Sequence, residues 1–212
     1  MINVEKFVFN TFMVNTWLLY DETGECILID PACYEPEEQE SLKEFISAKN
    51  LKLVRNLNTH CHIDHVLGND YVAHTFGIYP EYHKNSTFLF HVLKEIGSSF
   101  GFSIDRIPPP KRFLEDEEMV SWGNSSLRVL YTPGHAEGSV CFYNESQGFV
   151  VTGDVLFKDT IGRTDLPSGN FEQLMQSIKN KLLTLPAETL VYPGHGPETS
   201  IGYEEENNPF IR

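Results

Sequence analysis

Thr59-His60-Cys61-His62-Ile63-Asp64-His65 is the stretch on which the reading of this chain turns. The residues leading into it, LKLVRNLNTH, read as a strand, and a helix is expected after Asp64. Side chains alternate along an extended segment, so His60 and His62 point the same way and can grip one ion. Cys61 lies on the opposite face and reads as a packed thiol. Asp64 and His65, where the chain turns into the helix, can face a second site, and the opening helical turn lends it positive dipole. Imidazole and carboxylate are natural ligands of zinc and other first-row divalent ions.

Three further strand ends carry the same residue types beside glycine: Thr132-Pro133-Gly134-His135, Thr152-Gly153-Asp154 and Tyr192-Pro193-Gly194-His195-Gly196. Glycine lets the backbone turn sharply and come close to a packed site. Five of the eight histidines fall in these places, so the loops are expected to converge at one sheet edge. His74, His83 and His91 lie outside the pattern and read as surface or lid residues.

In order, His60-x-His62-x-Asp64-His65, His135, Asp154 and His195 resemble the metal-ligand set of the metallo-β-lactamase superfamily, and the resemblance covers essentially the whole chain. Gly153-Asp154-Val155-Leu156-Phe157, Gly162-Arg163-Thr164-Asp165, Pro193-Gly194-His195-Gly196-Pro197 and Asn208-Pro209-Phe210 are similar to the glyoxalase II-like (hydroxyacylglutathione hydrolase-like) branch, in particular its short bacterial single-domain members. The resemblance implies an α/β (α+β) fold, a four-layer αββα sandwich with the ions at one edge. It implies His60, His62 and His135 on one ion, Asp64, His65 and His195 on the other, and Asp154 bridging both. Two divalent ions are expected, zinc first, with iron or manganese as alternatives. Asp30 resembles an acidic residue that the superfamily keeps near the metals, where it would hold a histidine N–H.

The chemistry so implied is hydrolysis, with a metal-bound hydroxide attacking a carbonyl and Asp64 or Asp154 orienting it. A thioester such as S-lactoylglutathione suits that site, because a thiolate leaves without much help from an acid. Arg163 and Asp165 fall where the branch has a lysine and a tyrosine that contact glutathione. Arg163 therefore has two readings, a carboxylate clamp on substrate or an ion pair with Asp165 that braces the loop. The sequence stops 17 residues after His195, so the glutathione-binding helical extension of two-domain members is not expected. Rival enzymes on the same fold are a lactonase and a persulfide dioxygenase, the latter with one iron on His60 or its partner histidine, His135 and Asp154. A non-enzymatic metal-binding module is the alternative from another class.

The remaining sequence bounds these ideas. Its 212 residues read as one domain, 1–212, and 41% hydrophobic with 12% aromatic residues is a globular composition. A net charge of −14 argues against a nucleic-acid partner, and a small-molecule thioester is the expected one. No apolar run approaches the ~20 residues of a membrane span. The segment MINVEKFVFNTFMVNTWLLY lacks the basic and continuous apolar regions of a signal peptide. Cys26, Cys33, Cys61 and Cys141 form no C-x-x-C pair and read as reduced thiols of a cytoplasmic protein. Strands are expected at 7–9, 17–20, 26–31, 127–132, 139–143, 149–154 and 188–193, and helices from Pro36 and over 170–183. The stretch 82–120 reads as a helical lid or insertion, with a helix at 85–96 followed by a loop.

Overall fold

The computed structural model describes residues 1–211 apart from the side chain of His91, so the reading of that histidine lies outside the described residues. One sheet runs in order through β1 (Asn3–Phe9), β2 (Val14–Tyr20), β3 (Glu25–Ile29), β4 (Lys52–Leu57), β5 (Pro80–His83) and β6 (Arg112–Leu114). The first three strands form an antiparallel meander, and β3 to β6 pair in parallel. Parallel neighbours need crossovers. These are α1 (Pro36–Ala48), then α2 (Ile63–Val66) with α3 (Asn69–Phe76), then α4 (Leu89–Ser99).

The second sheet is built from β7 (Met119–Trp122), β8 (Ser125–Tyr131), β9 (Val140–Asn144) and β10 (Phe149–Gly153). A small hairpin follows, β11 (Leu156–Phe157) with β12 (Thr160–Ile161), and then α5 (Phe171–Ser177), β13 (Leu190–Pro193), β14 (Thr199–Ser200) and α6 (Ile201–Asn207). In space the order is β14-β13-β10-β9-β8-β7.

The apolar runs of the sequence have no polar alternation because both faces of each strand are covered. Trp17, Leu19, Ile27 and Ile29 point inward against Val129, Phe142 and Val151 of the other sheet. Their neighbours Leu18, Cys26 and Leu28 face outward onto Leu42 and Ile46 of α1. On the far side Leu130, Cys141 and Val150 face Leu174 of α5 and Ile178 and Leu182 beyond it. The result is the expected αββα sandwich. Pro36 opens α1, and Glu38 accepts from the Glu35 amide at 3.1 Å to close its first turn.

Three details depart from the sequence reading. The stretch 82–120 is less separate than a lid: β5 ends inside it, and its expected loop supplies β6 and β7, one strand to each sheet. Strands of three and four residues among prolines and charges are too short to show a period. The helix of 85–96 becomes a 3-10 turn, Lys84–Ser86, followed by α4, and 170–183 becomes α5, capped by Asn170, plus a π turn at Ile178–Leu182. His83 is buried rather than on the surface, stacked on Tyr131 with ring centroids 4.3 Å apart, whereas His74 is exposed.

Across β4, β5 and β6 lies a compact charge cluster. Arg55 Nη1 donates to both Glu81 oxygens at 3.0 and 2.8 Å, and Arg112 Nε donates to Oε2 at 2.7 Å. Arg112 Nη1 also reaches Glu118 at 3.0 Å.

Candidate metal centre

The strands of both sheets end at the same edge, and the loops leaving β4, β8, β10 and β13 bring His60, His62, Asp64, His65, His135, Asp154 and His195 together there. His60, His62 and His135 offer one ligand atom each, all within 4.8 Å of one another, and Asp64, His65 and His195 do the same. His62 Nδ1 lies 2.9 Å from His135 Nε2. Asp154 stands between the two groups, with His65 Nε2 at 3.3 Å, His195 Nε2 at 3.6 Å and His135 Nε2 at 3.7 Å from its oxygens. Asp64 Oδ2 is 3.3 Å from His195 Nε2 and 3.6 Å from His65 Nε2.

Each ring except His62 is fixed by a hydrogen bond on its outer nitrogen. His65 Nδ1 donates to Asp30 at 3.0 Å, His135 Nδ1 to the Arg163 carbonyl at 2.8 Å, and His195 Nδ1 to the Phe12 carbonyl at 2.9 Å. Thr59 Oγ1 donates to Asp30 at 2.6 Å and so accepts from His60 Nδ1 at 3.1 Å. These bonds place the second nitrogen, Nε2, of all four rings toward the centre. Asp30 also takes the Thr59 amide at 2.7 Å. A third His/Asp group, Asp30 with His60 and His65, is therefore spent on orientation, since both Asp30 oxygens already hold donors. Asp30 adopts φ 52°, a left-handed conformation rare outside glycine, at the turn that delivers its carboxylate.

The glycines explain how the loops come so close. A Cβ on Gly194 would strike the Asp154 carboxylate and lie 2.8 Å from His65 Cε1. At Gly153 φ is +49°, and a Cβ would meet the Thr59 hydroxyl.

Burial sets the protonation of the first group. It pushes His60 well below its ordinary pKa, helped by the neighbouring rings, takes His62 down to about 4, and lowers His135. In the second group burial pulls the same way, but Asp154, Asp64 and Asp30 outweigh it and leave His65 well above its usual range. His195 is raised against burial by Asp64 and Asp154. Burial also opposes ionisation of the two carboxylates, yet the histidines hold both Asp64 and Asp154 below the ordinary value. Three lone pairs and two carboxylates thus converge on a space whose charge is balanced by imidazole protons. A cation is the natural replacement for those protons.

The decisive observation is which atoms lack partners. His60 Nε2, His65 Nε2 and Asp154 Oδ1 are buried with no hydrogen bond, and all three point into the centre. Buried polar atoms left unsatisfied are rare and costly. The donor set and its orphaned atoms fit a pair of divalent ions.

Residues 10–195 match the Metallo-beta-lactamase superfamily. The chain belongs to the metallo-β-lactamase superfamily. It is 35% identical to hydroxyacylglutathione hydrolase GloC of Haemophilus influenzae, over 99% of this chain and 98% of that protein. It is 38% identical to the probable metallo-hydrolase YqgX of Bacillus subtilis, over 93% and 92%. Its fold is similar to BLEG-1 B3 metallo-beta-lactamase, with TM-score 0.89 and 33% identity over 100% and 99% of the chains. It is also similar to TTHA1623, solved in a di-iron-bound form, with TM-score 0.87 and 34% identity over 98% and 100%. This member of the superfamily is a metallo-hydrolase with a His/Asp metal-binding site suited to two ions.

Sequence reasoning named the site histidines and carboxylates and Asp30. It missed the Thr59 hydroxyl and the carbonyls of Phe12 and Arg163, which orient the rings. A carbonyl leaves no mark in a sequence; Thr59, next to His60, did. Arg163 and Asp165 form the ion pair that was one of two readings, with both bonds at 2.7 Å. No helix among the described residues is long and apolar enough to cross a membrane.

Proposed function

We propose that the protein hydrolyses a thioester at this centre, and the observation that carries the reading is the convergence of orphaned ligand atoms from both His/Asp groups on Asp154. In this reading His60, His62 and His135 would hold one ion, Asp64, His65 and His195 the second, and Asp154 would serve both. Bound there, two divalent ions bring the pKa of water towards ~7 and polarise a carbonyl oxygen. The chain's own part is geometric. Asp30 and Thr59 lock His65 and His60, the two backbone carbonyls lock His135 and His195, and Asp64 or Asp154 would orient the attacking water. A thiolate is a good enough leaving group that the edge needs no separate acid.

The thioester is supported by full-length similarity to GloC, named a hydroxyacylglutathione hydrolase. Zinc is the first candidate on donor type, and iron stands beside it because TTHA1623 was solved with two irons. The test is thiol release from S-lactoylglutathione and from simple acyl thioesters by protein loaded separately with zinc, manganese or iron. Release at kcat/KM of ~10⁴ M⁻¹s⁻¹ or better on any of them is expected. Silence on every thioester with every metal, with oxygen uptake on a persulfide, would overturn it.

A further inference from the structure

The two flanks of the centre differ in chemistry. On the Asp64–His195 side, the turn between β1 and β2 is tied down at both ends. Asn10 Nδ2 donates to the Asp64 carbonyl at 3.0 Å, and the Phe12 carbonyl holds His195 at 2.9 Å. Asn10 and Met13 both take left-handed backbone, φ 53° and 59°, and Met13 is 63% exposed. Phe100, just past α4 and 57% exposed, meets Phe12 edge-on with centroids 5.2 Å apart, and Phe102 backs the same ring at 5.8 Å. Phe157 of β11 lies 6.3 Å from the His195 ring.

The opposite flank is polar but self-neutralised. The Arg163 carbonyl holds His135, while its guanidinium is bidentate to Asp165, and both side chains are exposed. A substrate carboxylate would have to displace Asp165 from the geometry that suits a guanidinium best. It would do so on a chain of net charge −14.

We infer that the apolar wall of Phe12, Met13, Phe100 and Phe157 selects the substrate: one arm of the thioester is an uncharged apolar chain lying on that wall, and Arg163 clamps no substrate carboxylate. Single exposed apolar residues mean little on a protein surface. Phe12, Phe100 and Phe157 are joined to the His195 side by these contacts, and Met13 follows Phe12 on a turn whose backbone is hydrogen-bonded to the centre. The inference rests on the thioester reading above and narrows it.

The experiment compares kcat/KM for two thioester series on the metal-loaded protein. One lengthens the acyl arm from acetyl to hexanoyl on N-acetylcysteamine, and the other lengthens an alkyl thiol arm. A rise of about 4-fold per methylene in one series is expected, the value of burying a CH₂. The double variant Met13→Asn and Phe100→Ser should flatten that rise through KM while leaving kcat on the acetyl ester within about 2-fold. Both positions are exposed, and Asn tolerates the left-handed backbone at 13. Arg163→Ala should change KM for S-lactoylglutathione by less than 3-fold. Calorimetry with S-hexyl-N-acetylcysteamine, a thioether that is not hydrolysed, should show binding to the wild type that is weakened tenfold in the double variant. Flat series, or a glutathione ester preferred tenfold with the preference lost in Arg163→Ala, would overturn the inference while leaving thioester hydrolysis intact. No hydrolysis of any ester would instead remove the reading beneath it.

Discussion

Two clusters of buried charge sit in this molecule, and they are built to opposite rules. Around Glu81 the central carboxylate is answered from within the chain: Arg55 and Arg112 fill both of its oxygens, and Arg112 also reaches Glu118 Oε2, leaving only the outlying Glu118 Oε1 without a bond. At the sheet edge, His60 Nε2, His65 Nε2 and Asp154 Oδ1 are buried without a hydrogen bond, the last two only facing each other at 3.3 Å. Both are rich in ionisable groups, so composition does not separate them. Satisfaction does. A closed cluster fixes neighbouring strands, and an open one waits for something the chain does not contain.

The sharpest way to break this comparison is Asp154→Ala. Thiol release should fall at least ~10³-fold. In the wild type, zinc at 100 times its Kd should raise the unfolding free energy by about 2.7 kcal/mol, read by urea titration. The variant should lose most of that rise, and if it keeps it, Asp154 is no ligand. Glu81→Ala should do the converse. It leaves two guanidinium groups facing each other and should cost about 3 kcal/mol of stability, without changing zinc affinity by more than about 2-fold. A large drop in zinc affinity there would blur the distinction between the clusters.

Asp30→Asn probes the boundary between the two kinds of cluster. Asp30 is fully engaged, yet its partners are ring-orienting groups, so zinc affinity should weaken about 10–100-fold, measured by competition with a chelating dye. The smallest effect belongs to a closed carboxylate. Burial pushes the Asp21 pKa up, but donors from Thr23, Ser125 and Asn124 outweigh it and bring it from 3.8 to about 2. A depressed folded-state pKa stabilises above the unfolded value and loses that contribution as pH falls through the folded one. Asp21→Asn should therefore be about 2 kcal/mol less stable than wild type at pH 6, and the gap should close between pH 4 and 2. A gap that persists at pH 2 would mean that shape rather than charge holds the turn.

The open cluster was far more legible in the sequence than the closed one. The His-x-His-x-Asp-His run at one strand end and a His or Asp beside glycine at three others are conspicuous, because each is uncommon and all point to one chemistry. Arg55, Glu81 and Arg112 sit in separate short strands, and only the pairing of β4, β5 and β6 makes them neighbours. The apolar runs could be read as strands of a layered α/β or α+β fold, and the four-layer sandwich only through the resemblance that the ligand motifs carry. β6 and β7 could not, since three and four residues are too few for alternation to stand out from chance. His83 misled for a related reason: its burial depends on Tyr131, almost fifty residues away and in the other sheet.

One feature of the centre bears on how such a protein can change over time. Two of its rings, His135 and His195, are aimed by the main-chain oxygens of Arg163 and Phe12, not by their side chains. Those oxygens survive almost any substitution. Inheritance can therefore rewrite the side chains at 12 and 163, one on each flank of the centre, while the grip on the ions stays where it was. A lineage holding this arrangement is free to exchange one substrate for another by single steps, each passing through a folded, metal-competent intermediate.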